Sequence, residues 1–129
     1  MAAAIDTNAE HIKPLLNRGC KTFRGTYGAT VTPGQPVTLQ SDGYWDPTDT
    51  SAAQLTVAIA VKGGVAGDED DLVDSGPVVC MTGATPGTLI YGSDTAGGIG
   101  ETAGTKGLVI GYAEDATILV VKPQIISFS

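Results

Sequence analysis

Aromatic residues are scarce in this chain, 5% of 129 residues. A deep aromatic-lined ligand pocket is therefore not expected, and the core must be built from Val, Ile, Leu and Ala. There is one histidine, His11. A lone histidine excludes multi-His metal sites, and none of Ser, Cys or a remote acid stands at triad-like spacing from it. Cysteine is equally sparse. Cys20 and Cys80 have no Cys or His neighbour at ligand spacing, so they read as buried apolar thiols or as one disulfide, which leaves the redox compartment open. No apolar run approaches the length of a membrane span. Met1–Ile5 shows neither a basic leader nor a long apolar core, so the expectation is a soluble protein made in the cytoplasm without a signal peptide. Cations are nearly absent after residue 24. Lys62, Lys106 and Lys122 face twelve acids there, a balance of −9, whereas residues 1–24 hold Lys13, Arg18, Lys21 and Arg24 against Asp6 and Glu10, a balance of +2. An acidic body disfavours nucleic acid and anionic membrane as partners.

Glycine and proline are abundant, at 18 and 7. They argue for many turns and no long helix. The length suits one domain with one core. The main pattern is a phrase that occurs twice, TPGQPVTLQSD at 32–42 and TPGTLIYGSD at 85–94. A polar Thr/Ala/Gly stretch and an apolar run follow each, Leu55–Val61 and Gly107–Ala113. One offset carries Thr32-Pro-Gly onto Thr85-Pro-Gly, and Leu55, Val57 and Ile59 onto Leu108, Ile110 and Tyr112. The expected fold is an all-β barrel or sandwich with two similar β-units and at most two short helices. Pro then Gly at the central positions predicts a type II turn at each phrase.

Strands are predicted at 22–31, 36–40, 55–61, 72–73, 77–81, 88–91, 108–113, 117–122 and 125–128. The 55–61 strand has small residues on its second face and should pack on both sides. Lys62–Asp71 reads as an acidic loop, 93–105 as a flexible one, and Pro123 as a bend. Residues 1–21 form a separate N-terminal arm, and 22–129 the β-domain. In the arm Ile5, Ala9, Ile12 and Leu16 stand at helical spacing interrupted by Pro14, so a short helical turn and an extended segment are both open.

Motifs with chemistry mostly fail their context. Gly98–Ala103 matches GxGxxA, but its flanks start no helix to meet a pyrophosphate. Asp68–Asp71 lacks the EF-hand Gly and Glu, since Val73 and Val79 fill those positions. Tyr44 and Trp45 beside Asp46 suit a sugar platform or a packed sheet edge. No P-loop, nucleophile elbow or zinc spacing is present. The expectation is a protein that is not an enzyme and needs no cofactor or metal.

The repeated Thr-Pro-Gly, the Ser-Asp after each following strand, and the Gly107-Leu-Val-Ile-Gly-Tyr-Ala113 run resemble capsid decoration (cement) proteins of tailed bacteriophages. Ala60–Asp68 and Val73–Val79 add to the likeness, which spans roughly residues 28–123. The resemblance implies a β-tulip-like fold. It implies a structural virion protein on the outer surface of an assembled capsid, a homotrimer clamping neighbouring copies of the major capsid protein, with no nucleic-acid or membrane partner. An N-terminal arm pairs with capsid strands in several such proteins. Here that implies capsid-binding roles for Ile5, Ile12, Lys13, Leu15, Leu16, Arg18, Lys21 and Arg24. The alternatives are another phage head or tail β-domain, or a carbohydrate-binding module using Trp45 and Tyr44. From the residues themselves, Ile5, Ile12, Leu15 and Leu16 have no evident place in a core made of residues 22–128.

Overall fold

The computed structural model describes residues 3–51, 56–105 and 107–125. It is nearly all β, 47% strand and 4% helix, a curled antiparallel sheet shaped as a half-barrel. The strands are β1 (Ala4–Ile5), β2 (Lys13–Pro14), β3 (Lys21–Thr26), β4 (Pro36–Leu39), β5 (Trp45–Pro47), β6 (Ala58–Ala60), β7 (Glu69–Val79), β8 (Met81–Thr82), β9 (Leu89–Gly92), β10 (Ile99–Gly100), β11 (Leu108–Ala113) and β12 (Ile118–Ile125). Short 3-10 turns occupy Ala9–His11 and Leu16–Arg18. The main sheet runs β10-β9-β11-β12-β7-β6-β4-β5, with β2 and β3 also on β7, and β1 pairs with β8. No helix among the described residues is long and apolar enough to cross a membrane.

Both Thr-Pro-Gly turns form as expected. Gly34 and Gly87 each sit at φ +85°, a left-handed conformation that Gly adopts without steric cost. The correspondence continues along the backbone. Gly34 N–H donates to Ala60 O and Gly87 N–H to Ala113 O, each at 2.8 Å. Ala60 N–H donates to Gln35 O and Ala113 N–H to Thr88 O. Pro36 and Val37 pair with Ile59 and Ala58, as Leu89 and Ile90 pair with Tyr112 and Gly111.

β6 packs on both faces. Ala58 and Ala60 join Tyr27, Val31, Val37 and Leu72 in one cluster, and Ile59 points into the other. Leu55 lies outside the described residues. Gly111 is where β11 comes closest to its neighbour, because a Cβ there would run into the Val120 carbonyl.

Four expectations about strands and loops are corrected. Glu69–Val79 is one 11-residue strand, not an acidic loop followed by two short strands. Pro77 does not break it. Pro77 O accepts from Leu15 N–H, and in an antiparallel strand the missing N–H faces that same edge. There Leu15 O is already taken by Arg18 N–H, so no ladder bond is lost. Pro123 does not end β12 either. Between Val109 and Gly111 the register shifts, leaving Lys122 and Pro123 opposite Ile110. A bulge of this kind tolerates a residue without an N–H. The 125–128 strand is seen only as Ile125 at the end of β12, and 126–128 lie outside the described residues. Finally, the 93–105 stretch contains β10 and is tied down. The Asp94 carboxylate accepts from Thr50 Oγ1 at 2.8 Å and from the Thr105 backbone and hydroxyl. Glu101 accepts from Thr85 N–H at 2.7 Å.

Candidate interaction surface

The N-terminal segment is laid along the β-domain. Its helical spacing makes no continuous helical face: only the short 3-10 turns at Ala9–His11 and Leu16–Arg18 form, and Ile12 is 7% exposed while Leu16 is 62% exposed. Ala4 and Ile5 pair with Thr82 and Met81, and Lys13 and Pro14 with Val79 and Val78. Leu15 bonds to Pro77 and Lys21 pairs with Ser75. Residues 13–15 and 21–26 therefore share one edge of β7, with 16–19 looping out between them. Ala3, Ile12 and Cys20 belong to the larger core cluster. The expectation that Ile12 has no place in the core is thus corrected. Ile12 immediately precedes β2, and its Cδ1 lies 3.0 Å from where a Gly34 Cβ would stand, in the cluster that also holds Cys80. Ile5 and Leu15 are half-buried.

The basic residues divide. Arg18 makes a two-pronged ion pair with Glu114, at 2.6 and 2.5 Å. That partner holds the Glu114 carboxyl below its ordinary range. Arg24 pairs with Asp71 at 3.2 Å and Glu69 at 3.6 Å. Lys13 and Lys21 are exposed and make no ion pair among the described residues. Outward, the segment therefore offers Lys13, Leu16 and Lys21. His11 is exposed, bonded to Asp6 Oδ2 at 2.8 Å and to the Asn8 amide.

The acidic 68–71 run separates into distinct jobs rather than converging. Asp68 accepts from Val65 N–H, and Glu69 and Asp71 face Arg24. Asp70 is 2% exposed and fully partnered. Its Oδ2 accepts from Tyr27 Oη at 2.5 Å and from Lys62 and Gly63 N–H at 2.9 Å, and its Oδ1 accepts from Asp71 N–H. No group of three or more metal-ligating side chains occurs among the described residues. Gly98–Ala103 spans β10 and meets no helix.

Trp45 is half-buried with its ring 5.4 Å from that of Phe23, tilted by 53°. Both line a groove of about 430 Å³ with Val57, Asp74 and Pro123. Tyr44 is exposed on the adjoining turn.

Cys20 and Cys80 are both free and buried. Burial pushes the Cys80 thiol up to about 12 and raises that of Cys20, so neither is a ready nucleophile. A thiol-titrating reagent should find almost nothing in the folded protein and two equivalents in denaturant.

Sequence reading missed the acceptor side of this surface, β8 with the end of β7. A signal was available. The offset that superposes the Thr-Pro-Gly phrases sets Cys80 where the first repeat has Tyr27. Cys80 lies in the larger core cluster, and Ala3, Ile12 and Cys20 of the N-terminal segment pack in that same cluster.

No known family model matches the chain, and no curated protein matches it.

Proposed function

We propose that this chain is a structural virion protein that binds the outer surface of an assembled phage capsid and stabilises it, as a homotrimer clamping neighbouring capsid subunits. The observation that carries the reading is the correspondence of the two Thr-Pro-Gly repeats in turn geometry, hydrogen bonds and register. Those repeats are the residues on which the resemblance to decoration proteins rests. On this reading the domain is two β-units of one plan. The first is β3-β7-β6-β4-β5, and the second is the end of β7 with β12-β11-β9-β10. The long strand β7 serves both. A rigid double unit of this kind suits a clamp, because load applied at one end is carried through a shared strand.

The capsid contact belongs to the outward side of the N-terminal segment, at Lys13, Leu16 and Lys21. Ile5, Ile12, Leu15, Arg18 and Arg24 hold that segment against the domain and so shape the contact. The positive charge raises the rate of docking on an acidic capsid surface, and Leu16 slows release.

Expanded, undecorated heads of the encoding phage provide the test. Added protein should sediment with the heads, raise their melting temperature and give external density around local threefold axes. Lys13→Glu with Lys21→Glu should cut the association rate at least tenfold at low salt, and Leu16→Asp should mainly speed release. Full-length protein that folds yet leaves the heads bare would defeat the proposal.

A further inference from the structure

We propose that the seam between β8 and β10 is a strand-accepting site that takes residues 3–14 of a second copy of this chain, so that copies are linked by exchanged N-terminal straps. The inference does not depend on the capsid reading.

The argument begins with how the sheet curls shut. At one end Tyr27 bridges directly to Trp45, with Gly28 N–H donating to Trp45 O at 3.0 Å. Tyr27 is fully buried there and fills the interior. At the corresponding place on the other side stands Cys80, a much smaller side chain. No bridge joins residues 80–82 to β10 among the described residues. Instead β1 lies between them, paired with β8 on one side and adjacent to β10 on the other. Asp6 N–H adds a bond to Cys80 O at 2.9 Å. The side chains of Ile5 and Ile12 converge with Cys80 on the Gly34 turn, each within 4 Å of where a Gly34 Cβ would stand. The seat is therefore shaped for a short extended segment with two aliphatic anchors, and an open pocket of about 320 Å³, lined by both polar and apolar groups, continues it past Ala3.

The strap and the domain are joined by a connection suited to exchange. Residues 16–19 loop out of the sheet edge between two collinear strands, and Gly19 at φ +87° has nothing within 4 Å of where a Cβ would stand. Opening this loop into an extended line carries the strap away from its own domain without disturbing β3. The six residues 15–20 then reach up to about 20 Å. Every copy carries an identical strap and an identical seat, so a strap delivered by a neighbour remakes the same bonds. The exchanged form gains a contact besides. Leu16 is the most exposed large hydrophobic residue among those described, and in free protein, before any capsid contact is made, two opened hinges running past each other would cover it. This commits the occupant to a second copy and gives the exchanged state an advantage that rises with concentration.

The test uses the full chain in its native background, since Cys20 and Cys80 are buried. Ala4 and Thr82 are exposed register partners across the seam. An Ala4→Cys protein and a Thr82→Cys protein are mixed, unfolded and refolded together under reduction, then mildly oxidised. A disulfide-linked heterodimer should form at least tenfold faster than in a control mixture of Ala4→Cys with Ser41→Cys, a remote exposed site. The double variant in one chain, diluted, should close an intramolecular bond and so verify the seat geometry. Deleting Leu16–Arg18 removes both the slack of the hinge and Leu16, leaving Gly19 to join two collinear strands on one edge of β7, so it should lower the fraction of linked species in sedimentation. If the double variant closes within one chain but the mixed pair forms no faster than the control at any concentration, the exchange is refuted.

Discussion

Asp70→Ala should destabilise the protein by about 3–5 kcal/mol, because four donors lose one buried acceptor at once. Tyr27 Oη and the Lys62 and Gly63 amides converge on one carboxylate oxygen, and the Asp71 amide meets the other. Asp70→Asn separates shape from charge. Its oxygen can keep the three convergent donors only by turning the amide nitrogen toward Asp71 N–H, so the expected cost is smaller, about 1–2 kcal/mol. Tyr27→Phe removes one donor and should cost about 1 kcal/mol. Urea unfolding of the three variants orders them. A ranking with Asn as costly as Ala would show that charge rather than acceptor geometry dominates.

The same pair fixes an alkaline limit. Burial, with the Asp70 hydrogen bond, raises the Tyr27 phenol above its ordinary 10. Below pH 10 both folded and unfolded chains keep the proton, and the contribution is fully present. As pH rises past 10 the unfolded chain ionises while the folded one resists, so stability falls by up to about 1.4 kcal/mol per pH unit. Tyr27→Phe should flatten that slope.

The elements legible in sequence were those set by local rules. Proline and glycine at adjacent turn positions fixed both type II turns, and alternation of Ile59 with small residues marked a strand buried on two faces. The elements that were not legible depend on partners distant in the chain. Glu69–Asp71 reads as a solvated loop until Asp70 is seen to be satisfied by Tyr27 and the 62–63 amides. Pro77 reads as the start of a new strand and Pro123 as a bend until the neighbouring strands are seen to ask nothing of the missing N–H groups. Ile12 stands at helical spacing interrupted by Pro14, which leaves a helical turn and an extended segment both open. Its burial is decided by partners distant in the chain, the Gly34 turn and the cluster that holds Cys80.

Removing the strap should therefore cost the fold, beyond any loss of binding. A chain beginning at Lys21 loses Ala3, Ile12 and Cys20 from the core cluster and uncovers Cys80 and Met81. Truncating one such buried aliphatic side chain costs about 2–5 kcal/mol, and the lost strand pairing leaves backbone groups of β8 and Val79 without partners. The melting temperature should fall by about 10–20 °C. Ile12→Ala in the full chain should reproduce a large part of that fall, whereas Leu16→Ala, at an exposed site, should change it little. A synthetic peptide of residues 3–14 added to the truncated chain should raise the melting temperature in proportion to the logarithm of its concentration once the seat saturates. Calorimetry of the truncated chain, with and without peptide, decides the matter. If the truncated chain melts where the full chain does, the strap is an ornament on a self-sufficient domain and the larger core cluster closes without it. If it melts early and the peptide restores it, the seat is a binding site in its own right, filled in the intact protein by the strap, whichever copy supplies it.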